Sequence, residues 1–385
     1  MLKNILVALF LCHLAAVSIA QFQVTISPAI RSRLTNDSTQ LKAALNSFFT
    51  KEDQPLSYLS QQLINFYPLG KGQYSVTVAF SDSAAPVQLR TFVASGGSGH
   101  INLTSPLAYL TKNWHTAQIG HIAYHYADTI NLSRARAFEK NNETIAHKLG
   151  LTPENFDFYL TDNYQQILAL QGYEFDAKRA GRTRDGSFSG DHQFFAIQHN
   201  EDFSHDLIHY YVSKIRSNTR NSAAEEGLAY YWGNAYYTDS AGNMIDYPAQ
   251  LVALRNYESQ HPDSSLLSLF AHNTKPFPTL ELSARSILSA RLFELIETTK
   301  GIEGIKALIN SGPGDDNYFK AVESLTGVNR TNFDDRLRTL LAQQPRSRLG
   351  LQSVLRVTQS RPSRYYSATT ATPCAAAASS ISGVR

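Results

Sequence analysis

The residues of this 385-residue chain best placed to do chemistry are His205 and His209, in Phe203-Ser204-His205-Asp206-Leu207-Ile208-His209-Tyr210-Tyr211. On a helix, residues four apart lie one turn above each other on one face, so both imidazoles can reach one ion. Asp206, next to the first histidine, can aim a carboxylate at a water on that ion. This is the mechanical logic of the H-E-x-x-H zinc motif, with Asp in place of Glu. The spacing alone is weak, because twelve histidines predict roughly 0.4 such pairs by chance. A second pair, His121 and His125, serves as a control. Ile122 holds the carboxylate position there, and the segment reads as a strand, which would put the two rings about 13 Å apart. That pair is not expected to chelate.

The sequel to the first pair makes the difference: Ser222-Ala223-Ala224-Glu225-Glu226-Gly227-Leu228-Ala229-Tyr230-Tyr231. A tetrahedral catalytic zinc takes three protein ligands and keeps one position open for water. A second helix beginning thirteen residues after His209 can bring Glu226 against the first, and Gly227 removes a side chain where two helices must approach. Ser222-x-x-Glu225 reads as a capping box, which assigns Glu225 to the helix start and leaves Glu226 for the metal.

His-Asp-x-x-His followed by Glu-Gly-Leu-Ala-Tyr resembles the gluzincin clan of metallopeptidases, especially the bacterial peptidase MA-like domains, whose pattern is H-E-x-x-H and then W-x-x-E-G-x-A-x-Y. The resemblance runs from about Ala127 to Leu341 and takes in Leu295 to Leu308, Leu325-Thr326-Gly327-Val328 and Phe333 to Leu341; residues 21–126 carry none. It implies that His205, His209 and Glu226 are Zn2+ ligands and that Asp206 sits at the general-base position. The implied reaction is peptide-bond hydrolysis by metal-activated water. A strand at Gln193 to Gln198 would pair with an extended peptide or protein substrate.

Two features depart from the family pattern. Asp is one methylene shorter than Glu, so its oxygens fall roughly 1.5 Å short, and a misplacement near 1 Å can cost about a hundredfold in rate. The family also often places a tyrosine or histidine on a later helix to stabilise the oxyanion, whereas Leu282 to Leu292 offers serines, arginine and apolar residues. His272, Tyr236 and Tyr247 are the substitutes. The alternative to a peptidase is therefore a catalytically impaired relative that binds a peptide or glycan. Of the other polar residues, Glu201 and Asp202 read as favourable charge at a helix start, and His192 and His199 as surface histidines. Tyr210, Tyr211, Tyr230, Tyr231 and Trp232 read as packing between the two helices.

The elements that must position these residues follow from hydrophobic period. Residues 39–67 read as helical, with Leu41, Ala44, Leu45 and Phe48 on one face, continuing through Leu63, Ile64 and Phe66. Tyr74, Val76, Val78 and Phe80 alternate as a strand, as do Val87, Leu89 and Val93, with a glycine turn at Gly96 to Gly99. Ile119 to Tyr126 reads as one strand. Then come a helix over Ser133 to Leu149 capped by Gly150, a strand over Asn155 to Leu160, a helix over Asp162 to Gly172 and a loop or hairpin over Arg182 to Gly190. Helices follow at about 201–216, 223–237, 248–259, 280–299, 302–310, 316–325 and 331–343. The fold class is α+β: a mainly helical zincin-like domain with a small sheet at 128–345, behind a smaller α+β domain at 21–127.

Composition is that of a globular protein, 43% hydrophobic and 17% charged. Lys3, the apolar run from Ile5 to Val17 and Ser18-Ile19-Ala20 read as a cleavable signal peptide over 1–20, implying a secreted or periplasmic protein. Cys374 would then be the lone cysteine, so no internal disulfide forms. Eight of the 35 basic residues are arginines from Arg336 onward, where no acidic residue occurs, leaving 27 basic against 32 acidic elsewhere. The positive charge thus belongs to a low-complexity tail over 346–385, expected to be disordered. Without stacking aromatics it does not read as a nucleic-acid surface. No later apolar run is long enough to span a bilayer.

Overall fold

Alternation of apolar residues builds two sheets. A computed structural model describes residues 25–26, 43–45, 59–82, 85–97, 100–181, 184–235, 244–277 and 280–343. The expected signal segment, Leu41 and Phe48, the Ser98-Gly99 turn, both cysteines, Tyr236 and the tail lie outside these residues.

In chain order the strands and helices begin with β1 (Thr25–Ile26), β2 (Ser60–Gly70), β3 (Gln73–Asp82), β4 (Ala85–Gly97) and β5 (His100–Thr104). A single-turn α1 (Leu107–Leu110), β6 (His115–Ile119), β7 (Ile122–Tyr126), α2 (Leu132–Leu149), β8 (Phe156–Thr161) and α3 (Tyr164–Leu170) follow. Next come β9 (Tyr173–Asp176), β10 (Gly186–Ser189), β11 (Gln193–Ile197), α4 (Ser204–Ile215) and α5 (Ser222–Gly233). The last are α6 (Tyr247–Gln260), α7 (Leu266–Ala271), α8 (Ala284–Ile309), α9 (Asp315–Thr326) and α10 (Phe333–Ala342).

The first sheet has the order β1-β2-β3-β4-β5, with β9 also paired to β4. Here the helix expected over 39–67 is corrected. Residues 43–45 are helical, but Leu63, Ile64 and Phe66 belong to β2, which pairs antiparallel with β3 from Ser60↔Ser81 to Gly70↔Gln73. The turn Gly70-Lys71-Gly72, all at positive φ, feeds β2 straight into β3, and the ladder overrides a pattern that local period leaves ambiguous. Leu63, Val76, Val78, Phe80 and Phe92 are the buried face of this sheet.

The second sheet has the order β10-β11-β8-β7-β6. β7, β8 and β11 run parallel, and each end of the sheet closes with an antiparallel hairpin. The single strand expected over Ile119 to Tyr126 is instead the turn and second arm of one of these hairpins. Gly120, at φ 56°, makes the turn over the Glu139 carboxylate, which lies 2.0 Å from where a Cβ would be. Because side chains alternate across a strand, Phe156, Phe158, Leu160, Phe194 and Ala196 join the main core, while Tyr159 and Phe195 join a smaller cluster with α3. A division at residue 127 cuts this sheet: β6 and β7, placed in the first unit by the sequence, pair with β8 of the second, and β9 returns to β4.

α2 ends at Gly150, whose φ of 76° makes it the left-handed cap expected there. The two helices expected at 280–299 and 302–310 are the two stretches of α8, divided as expected by a kink at Gly301, with φ 61° and ψ −155°. Helices α4, α5 and α8 pack with the second sheet around the largest core cluster. Among the described residues no helix is long and apolar enough to cross a membrane.

Candidate metal centre

α4 is amphipathic, burying Leu207, Ile208, Tyr211 and Val212, which turns His205 and His209 together toward α5. The two ring Nε2 atoms face each other at 3.1 Å. Glu226, from the second turn of α5, places one carboxylate oxygen 3.4 Å from His205 Nε2 and the other 3.6 Å from His209 Nε2. Two donors bound to a tetrahedral ion at about 2.0–2.1 Å are roughly 3.3 Å apart, close to the separation of the two Nε2 atoms.

The outer nitrogens decide what the inner ones can do. His205 Nδ1 donates to the Asn234 carbonyl at 3.1 Å, and His209 Nδ1 donates to Glu225 Oε1 at 2.8 Å. Both rings therefore carry their proton on Nδ1 and aim an Nε2 lone pair inward. Two lone pairs and a carboxylate converging on one point repel one another unless a proton or a cation lies between them. The side chains that could hold a metal ion are His205, Asp206 and His209: a carboxylate oxygen of Asp206 and one nitrogen from each histidine lie within 4.8 Å of one another. Glu226 lies beside both rings.

The surrounding sequence explains how the centre is held. Asn234, which ends α5, has φ 67° and ψ −179°, a conformation rare for any residue but glycine, and this bends its carbonyl back to His205. Gly233 lets the two helices meet, since a Cβ there would lie 2.6 Å from Ser204 O and 3.0 Å from His205 Cα. The close approach assigned to Gly227 is directed elsewhere: its Cβ would meet Ser289 Oγ at 2.2 Å, so it seats α5 on α8. Tyr230 packs edge-on to His205, with ring centroids 5.7 Å apart.

Glu225 is not half of a capping box. Asn221 caps α5 by accepting from Ala224 N–H at 3.1 Å. Glu225, buried, instead accepts from His209, from Arg216 and from Arg220 Nε at 3.1 Å. Arg220 Nη2 also reaches Glu226 Oε1 at 2.6 Å. The loop between the helices thus ties both glutamates to the histidines. Its arginines were missed because no local pattern marks them; the signal lay in two consecutive glutamates followed by glycine.

Charge sets the titration of the metal-free centre. Burial opposes the Glu226 carboxylate, but the two imidazoles and Arg220 outweigh it and hold its pKa down at about 2. Burial disfavours a charged His205, yet Glu226 and Asp206 win, raising its pKa. Burial dominates at Asp206 and raises it, opposed by the two histidines and Arg184.

The remaining sequence candidates lie elsewhere. His121 and His125 take separate partners, Asn155 and Asp157, so that pair does not chelate. Glu201 accepts from Asn131 N–H at 3.0 Å, and Asp202 from Ser204 and Asn141. His192 bonds Glu154 and Tyr210. His272 turns back to Ser268 O at 2.9 Å, and Tyr247 donates to Glu294 at 2.6 Å, so neither is turned to the centre. Tyr211, Tyr230 and Trp232 are core residues. The strand expected to receive a substrate, Gln193–Ile197, is flanked on both sides by β8 and β10; among the described residues β10 is the edge. In comparisons with known proteins, no protein-family model matches the chain and no curated protein matches its sequence.

Proposed function

We propose that this chain is an exported zinc metallopeptidase-like protein of the gluzincin type, hydrolysing peptide bonds with Asp206 as general base. The observation that carries the reading is the convergence of His205 Nε2, His209 Nε2 and the Glu226 carboxylate at 3.1–3.6 Å, with both Nδ1 atoms already engaged. Two neutral imidazoles and one carboxylate suit zinc better than the harder, oxygen-seeking cations. When bound, the ion would polarise the scissile carbonyl and acidify a water.

The chain's own residues supply the rest. Glu225 and Asn234 hold the imidazoles in register. Asp206 takes the proton of the attacking water as its oxygen adds to the carbonyl carbon, then gives that proton to the leaving amine as the C–N bond breaks. Burial raises its pKa in the metal-free centre, the direction that makes a carboxylate a better proton acceptor. An extended peptide would add to β10, the edge strand among the described residues, whose first residue, Gly186, packs on Phe203 just before α4.

Protein purified without added metal is expected to hold about one zinc per chain, and Glu226→Ala to lose it. With zinc present, cleavage of an unfolded protein by the parent chain supports the peptidase. The shorter reach of Asp206 favours a second reading, an impaired relative that binds a peptide or glycan. Zinc without cleavage by either the parent or Asp206→Glu selects that reading. Absence of zinc overturns both.

A further inference from the structure

The centre's two glutamates are already paired before any ion enters: Glu225 with Arg216 and Arg220, and Glu226 with Arg220. A bound dication would therefore add positive charge to a partly enclosed site, where it is poorly screened.

The geometry says where that charge faces. Side-chain exposure rises steadily across the cluster, from 4% at His205 and 22% at His209 to 31% at Glu226 and 43% at Arg220. The closed wall is His205 and the open side is Glu226 with Arg220. Arg220 uses Nη2 on Glu226 and Nε on Glu225, which fixes the plane of its guanidinium at the mouth. With Glu226 sharing its charge with an ion, Arg220 would be a positioned cation on the exposed side of the centre.

We propose that Arg220 is the anion-holding residue of this centre, the group that meets negative charge on whatever occupies the open side. This rests on the metal-centre reading and adds to it a role at which neither His272 nor Tyr247 is placed. In hydrolysis the negative charge is the oxygen of the scissile carbonyl as water adds; for a resting ligand it is a carboxylate. A guanidinium fits both through charge-assisted, forked hydrogen bonds. Arg216 pairs with Glu225, and so provides the internal control.

The test uses the full chain loaded with cobalt(II), whose visible absorption reports ligands, titrated with azide as a simple anion. Arg220→Gln removes the charge but keeps a donor for Glu226, and is expected to retain cobalt while weakening azide binding about tenfold or more. Arg216→Gln, which removes a partner of Glu225, is expected to weaken it less than Arg220→Gln does. Equal weakening in both variants, or none in Arg220→Gln, overturns the proposal while leaving the metal centre intact. Loss of cobalt from Arg220→Gln assigns Arg220 to holding Glu226 and also overturns it. A parent chain that takes up no cobalt removes the metal-centre reading itself.

Discussion

At the scale of single residues, orientation matters as much as ligation. Glu225 fixes the tautomer and ring plane of His209, and partners of this kind are typically worth about 10–100-fold in metal affinity. Glu225→Ala is expected to weaken zinc binding by that order while circular dichroism stays unchanged, measured by competition with a chromophoric chelator. The pH dependence follows from His205. Its raised pKa means the metal-free His205–Glu226 pair stabilises the fold fully below the ordinary histidine value of 6.5 and loses that contribution as pH rises through the raised value. On the acid side the pair persists until Glu226 protonates near its lowered value of about 2. A metal competes with the His205 proton, so zinc affinity is expected to rise with pH across neutrality, the opposite trend to the stability of the metal-free chain. Calorimetry at several pH values with and without zinc separates the two. Asp206→Glu extends the base by one methylene; a large gain in peptide hydrolysis is expected if the centre is assembled around it.

At the scale of elements, the centre depends on how closely three helices approach. Gly227→Ala would drive a Cβ into Ser289, whose own Cβ lies 2.5 Å from the ideal position, and overpacking of this kind typically costs about 1–3 kcal/mol. A lower melting temperature with nearly unchanged metal affinity is expected, because the strain falls between α5 and α8. Gly233→Ala presses instead on Ser204 and His205, and should lower both stability and metal affinity. The contrast between the two glycines distinguishes a packing contact from one that sets the ligand helices. Local sequence announced most of these elements: the period of apolar residues located α2, α4, α5, α6 and the helices from 284 onward, but not the short α7. It could not place β2, because Leu63, Ile64 and Phe66 suit a helix face and a strand alike until a partner strand is present. Nor could it resolve hairpin β6–β7 or the interior position of β11, since pairing is a property of distant segments.

At the scale of the whole molecule, the two sheets are interleaved along the chain. A fragment beginning at residue 128 would lack β6 and β7, expose the edge of β8 and lose the buried Ile122 and Tyr124, so it is expected to aggregate, as light scattering during refolding would show. Glu297 of α8 links distant elements, accepting from Lys148 of α2 at 2.7 Å and from Tyr231 and Trp232 of α5 at 2.6 and 3.3 Å. Burial opposes its charge, but these partners outweigh burial and lower its pKa. Its contribution is fully present above the ordinary glutamate value of 4.5 and lost as pH falls from there through the lowered value. Glu297→Gln is expected to destabilise the chain at neutral pH and to flatten the acid side of its stability curve, followed by urea unfolding.

Sequence by itself determined the ligand-bearing helix: a four-residue histidine spacing on an amphipathic period fixes both rings on one face wherever α4 lies. It also pointed to Glu226, which the fold sets beside both rings. Tertiary structure alone decided Glu225, Arg216, Arg220 and Asn234, because their roles arise from a loop folding back between two helices and from one carbonyl bent by an unusual backbone angle. Spacing along the chain encodes which side chains share a helix face. Which groups surround that face, and with what charge, depends on contacts between segments far apart in sequence.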